Sequence, residues 1–163
     1  GRFELFSESP NRIDGLLNKV GISFFSYPYP LLCDFHTYLN ILVADIQDIA
    51  AMKLDAISEQ GRKQDFIDLF FILDYLSLSE ILGRYEVKHG IISPNHVHLM
   101  NSLVCFEYAE QDPMPDMPSP VSWDEVKKRI IAEVNQGPRG REGIGKSPIR
   151  HQAGLGDNQQ KIT

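Results

Sequence analysis

The chain has 163 residues, 42% of them hydrophobic and 23% charged, which suits one globular domain with a sizeable core. Asp68 and Asp74 interrupt the longest apolar run and no signal-peptide pattern opens the chain, so a cytoplasmic protein without a membrane partner is expected. The formal net charge is −6; residues 136–163 contribute +3 and leave −9 on the rest, which argues against a general nucleic-acid surface, since phosphate binding normally shows as a basic patch.

In chain order, Ser9 followed by Pro10 reads as an N-cap and first helical residue, predicting a short helix to about Val20 that stops at Gly21. Ile22 to Tyr27 reads as a strand, ended by Tyr27-Pro28-Tyr29-Pro30 because proline removes amide donors. A second strand is expected over Asn40 to Ala44. Helices follow over Leu78–His89, Pro94–Glu110 with Ser93 as cap, and Val121–Asn135, where Ser122 and Glu125 have capping-box spacing. A proline-rich connector, Asp112 to Pro120, joins the last two. Beyond Gln136 glycines cluster without apolar periodicity, and a disordered basic tail is expected. Cys33 and Cys105 are expected to be reduced, buried thiols. His96 and His98, two apart in the first turn of a helix, diverge and read as surface or packing residues. Phe70, Phe71, Phe106, Tyr108 and Trp123 read as core.

The most informative stretch is Ala51–Leu76, which reads as a helical hairpin. Asp45 is the N-cap, Ile46, Ile49, Ala50 and Ile57 recur at helical spacing, and Gly61 supplies the left-handed stop. Lys53 falls i+7 from Ile46 and i+4 from Ile49, inside that apolar stripe. The second helix, Asp65 to Leu76, is apolar except at Asp65, Asp68 and Asp74. Folding about Gly61 brings Lys53 level with Asp68, so the two are expected to pair or to face a cavity holding something charged.

These residues resemble a known family. Lys53-x-x-Ala56, then Arg62, Lys63 and Asp65-Phe66-Ile67-Asp68-Leu69-Phe70, look like a signature block of the AbiEii/AbiGii-type nucleotidyltransferase toxins, members of the minimal nucleotidyltransferase group. Ser23 to Leu31, with its Tyr-Pro-Tyr-Pro-Leu segment, and Leu103–Glu110, Met114-Pro115 and Ser122–Lys127 are similar to further family segments, so the resemblance spans about residues 20 to 133. It implies an α+β fold, the remnant of a nucleotidyltransferase-like sheet (1–44) followed by a helical C-terminal bundle (45–135) and the tail (136–163). The implied chemistry is transfer of a nucleoside monophosphate from a nucleoside triphosphate to an RNA acceptor such as tRNA, in type IV toxin–antitoxin and phage-defence systems with a cognate antitoxin. By resemblance, Lys53, Asp65 and Asp68 are the catalytic candidates, and Lys53, Arg62 and Lys63 bind nucleotide phosphates. Family members carry an Asp-x-Asp-Leu-Phe strand for Mg2+; here the corresponding text is Arg2-Phe3-Glu4-Leu5-Phe6-Ser7, leaving Glu4 as the metal candidate and a truncated or degenerate member as the expectation.

Plainer readings stand beside these. Lys53 and Asp68 can be a structural pair that sets the hairpin register, Arg62 and Lys63 a solvated turn, and Asp65 a first-turn acid that complements the helix dipole. On those readings the chain is a non-catalytic helical interaction module.

Overall fold

The computed structural model describes residues 2–90 and 96–137. It is an α+β protein with strands first and helices after, as expected. Strands β1 (Phe3–Ser9), β2 (Arg12–Leu17) and β3 (Val20–Phe25) form an antiparallel meander in the order β1-β2-β3, and β4 (His36–Tyr38) pairs with β5 (Ile41–Val43) in a separate hairpin. Helices α1 (Ile46–Glu59), α2 (Lys63–Ile72), α3 (Leu78–His89), α4 (His96–Ser102), α5 (Glu107–Gln111) and α6 (Trp123–Gln136) form the body.

The helix expected from Ser9 to Val20 is instead the turn out of β1, strand β2 and the turn into β3. Ser9-Pro10 starts a tight turn as readily as a helix, and Pro10-Asn11 link the facing residues Ser9 and Arg12. Asn18 and Lys19 have φ of 52° and 71°, the two left-handed residues that a two-residue hairpin turn requires. Leu39 and Asn40 repeat the device between β4 and β5 with φ of 47° and 62°. Gly15 is obligatory for a different reason: a Cβ there would come within 2.5 Å of the Phe3 ring and 2.6 Å of the Glu4 carbonyl.

The core lies wholly in the helical part, from Ala50 to Ile130. α1 packs on α2, α3 and α4, and α6 covers α2. Phe66, Phe106 and Trp123 form an aromatic cluster, with ring centroids 4.9 Å apart for Phe66–Phe106 and 5.7 Å for Phe106–Trp123. The capping box at Ser122–Glu125 is present, and an equivalent box at Ser77–Glu80 starts α3.

Three expectations need correction. Pro94–Glu110 is not one helix: α4 and α5 are separate, with Leu103–Phe106 turning between them so that Leu103 and Phe106 reach the core (Ser93 and Pro94 lie outside the described residues). Neither cysteine is buried as expected: Cys105, at that turn, is exposed and Cys33 is half-buried, and both are free thiols. Tyr108 is 69% exposed, because α5 is short and spends its buried side on Ala109. The tail beyond Gly137 lies outside the described residues.

Candidate functional site

The first helix starts where Asp45 accepts a hydrogen bond from the amide of Gln47, and its end is shaped by Gly61, whose φ of +60° lets its amide reach the Ala56 carbonyl. α2 then runs back beside α1. Its acids Asp65 and Asp68 are three apart and share a face, turned toward Lys53. The Lys53 Nζ lies 3.0 Å from Asp65 Oδ1 and 2.6 Å from Asp68 Oδ2. The expected pairing across the hairpin is therefore present, with Asp65 as a second partner in place of a simple dipole role.

This cluster is not deeply buried. The Lys53 side chain keeps 24% of its exposure and that of Asp68 38%. Lys53 stands on the edge of the apolar stripe, beside the half-buried Ile46 and Ile49. Together with Asp68, Phe71, Ile72 and Tyr75 these line an open groove of about 370 Å³. A second groove, of about 310 Å³, lies on the other side of Asp68 and Phe71, against Pro115–Ser119 of the connector. Burial works against the charge on Lys53, but hydrogen bonding and attraction from Asp68 and Asp65 outweigh it and raise its pKa above the ordinary lysine value. Lys53 is thus a fixed cation suited to anchoring an anion, and unsuited to act as a base.

The other candidates separate. Arg62 is the exposed N-cap residue of α2. Lys63 is neither a solvated turn residue nor directed at Lys53: it is 6% exposed, its amine donates to the Asp112 carbonyl, and it lies 5.3 Å from the centre of the Trp123 ring. Its burial is possible because the ammonium meets a carbonyl and a π face where the connector crosses α2. Asp74, the third acid of the hairpin, pairs with Arg129 at 2.7 Å. Glu4 is exposed on β1, 3.7 Å from Arg2. A carboxylate beside a guanidinium is a poor seat for a divalent cation. Among the described residues no group of three or more His, Cys, Asp or Glu could hold a metal ion. The described residues therefore do not fit a Mg2+ site.

Sequence reading missed the best-buried ion pair. Lys88 Nζ, near the end of α3, lies 2.5 Å from Asp48 Oδ1 in the first turn of α1, with both side chains fully buried. Asp48 also accepts from the amides of Leu32 and Cys33, and Lys88 donates to the Pro30 carbonyl at 2.9 Å. Lys88 lies 5.2 Å from the Tyr27 ring centre, and Tyr29 packs on His89 with ring centroids 4.0 Å apart. This pair pins the Tyr-Pro-Tyr-Pro-Leu segment to the helical body. Neither residue signalled it, because an acid in a first turn and a lysine in a last turn are ordinary helix-end charges.

Comparison with known proteins places the chain in a family. The family model for the AbiEii nucleotidyl transferase toxin of type IV toxin–antitoxin systems matches residues 17–139. An uncharacterized protein of Aquifex aeolicus is 33% identical over 133 residues, which are 79% of this chain and 63% of that protein. The chain thus spans less than two thirds of the length of that relative. No solved structure matches this chain. The matched region contains the Tyr-Pro segment, the Lys53–Asp65–Asp68 cluster and the helices that enclose both, and the chain belongs to the AbiEii nucleotidyl transferase toxin family.

Proposed function

We propose that this chain carries the nucleotide-handling helical part of a type IV toxin, which transfers a nucleoside monophosphate from a nucleoside triphosphate to an RNA acceptor such as tRNA and is opposed by a cognate antitoxin. The observation behind this reading is that Lys53, held by Asp65 and Asp68 at 3.0 and 2.6 Å, still opens onto a groove. In this reading the Lys53 ammonium meets phosphate oxygens, Asp65 and Asp68 orient it, and Arg62 adds charge at the positive end of α2. Lys63 acts only through the connector. The division into a sheet region (1–44), helical domain (45–135) and tail (136–163) and a cytoplasmic site of action belong to the same proposal. Among the described residues no helix is long and apolar enough to cross a membrane.

Metal-assisted transfer calls for Mg2+ on strand carboxylates, and Glu4 beside Arg2 does not supply that set. The same observation favours a second reading, a non-catalytic interaction module. Incubation with radiolabelled nucleoside triphosphates, Mg2+ and total RNA separates the two. Label transfer that falls to background in Lys53→Ala supports the transferase. Equal background from both proteins supports the module.

A further inference from the structure

The two faces of the meander β1–β3 differ in character. Its register puts Phe3, Leu17 and Val20 in one cross-strand row, Leu5, Gly15 and Ile22 in the next, and Ile13 and Phe24 in a third. Residues paired across antiparallel strands share a face, so all eight lie on one side, with Glu8 as the only charge, at a corner. The opposite side is mainly polar, with Glu4, Ser7, Arg12, Asp14 and Ser23 beside Leu16 and Phe25, and is knit by Arg12 Nε to Asp14 at 2.7 Å and Ser23 Oγ to Asp14 at 2.5 Å.

Both sides of the meander are open to solvent, and the apolar side is no better covered than the polar one. Phe3 is 43% exposed, Leu5 53%, Val20 65% and Phe24 60%, with Ile13 and Leu17 also exposed. The sheet packs on itself, β1 on β2 and β2 on β3, while the core begins only at Ala50. An amphipathic sheet left with its apolar face in water calls for a cover. Six side chains exposed to this degree present on the order of 500 Å² of apolar surface, and two such faces together remove about 1,000 Å², the lower bound for a specific interface.

We propose that this face is an interface between two copies of the chain, packed sheet on sheet about a two-fold axis. A two-fold contact requires a self-complementary patch, and an apolar, nearly uncharged, slightly twisted face meets that requirement. A charge-bearing ligand such as RNA finds nothing there to bind, because the lone charge is Glu8. The Glu8 corners lie at the rim, where they stay in water.

Sedimentation equilibrium of the full chain over micromolar to hundreds of micromolar concentrations tests this. A reversible monomer–dimer equilibrium is expected. Val20→Lys with Phe24→Lys should weaken it at least tenfold, and Ser7→Lys on the polar face should leave it unchanged. The milder pair Leu17→Thr and Val20→Thr keeps β propensity and should weaken it in the same direction. Trp123 fluorescence reports that the helical body remains folded in each variant. A chain that stays monomeric throughout overturns the proposal, as does open-ended aggregation, or a dimer that survives both double substitutions. A monomer would leave this face to a different protein or to another segment of polypeptide.

Discussion

Lys88 and Asp48, forty residues apart, meet at 2.5 Å with neither side chain exposed, and the tyrosine–proline segment is fastened to both. A buried ion pair of this kind adds little net stability over an apolar pair of the same shape, but breaking it strands a charge.

Removing one partner should therefore be severe. Asp48→Ala or Lys88→Met is expected to lower unfolding free energy by about 3–5 kcal/mol, and the combined variant by less than the sum of the two. Urea unfolding followed at Trp123, the chain's single tryptophan, measures all three. Additive losses would show that the two groups do not act together.

Acid should act through the same group. Burial alone would raise the Asp48 pKa, but Lys88 and the amides of Leu32 and Cys33 reverse this and hold it below the ordinary carboxylate value. A lowered folded-state pKa contributes stability that is complete above about pH 4 and lost as pH falls through the folded value. The melting-temperature gap between the native chain and Asp48→Asn should accordingly narrow below about pH 4 and stay constant from there to neutrality.

Lys53 should respond differently. Its ion pairs are partly exposed, so Lys53→Ala is expected to cost about 1–2 kcal/mol, well under the Lys88 variants. Because its pKa is raised, the contribution is present below the ordinary lysine value and is lost as pH rises through the folded one. Thermal melts from pH 7 into the alkaline range, compared with Lys53→Ala, read this directly. A loss equal to that of Lys88→Met would mean that the groove side of the cluster is closed in solution.

The hairpin corner offers a geometric test. At Gly61, φ is +60° and a Cβ would lie 3.2 Å from the Ile57 carbonyl and 3.3 Å from the Phe66 ring. Gly61→Ala is expected to destabilise by about 1–2 kcal/mol, through both left-handed strain and contact with Phe66. Gly83→Ala, at a helical position with nothing within 4 Å, is the control and should be neutral or stabilising.

Local signals in the chain carried much of the helical body. Asp45 capping, the Gly61 stop, the Leu78–His89 helix and the Ser122–Glu125 box all depend on neighbours within a few residues, and all are present. Of the meander, β3 was legible as a strand, but β2 was hidden because Ser9-Pro10 serves a helix start and a turn equally well. The paired strands declare themselves only when Asn18 and Lys19 take left-handed conformations, costly for non-glycine residues unless a hairpin closes.

By itself the sequence determined that an acid–lysine contact crosses the hairpin, since helical periodicity and one turn residue place Lys53 opposite Asp68. It could not rank that contact against Asp48–Lys88, because burial depends on what distant segments cover. Tertiary packing decided that Lys53 opens on a groove, that Lys63 turns beneath the connector, and that Lys88 is sealed under the tyrosine–proline segment. The physical reason is desolvation: a charge is surface-like or core-like according to the neighbours the fold brings to it, and those neighbours come from remote parts of the chain.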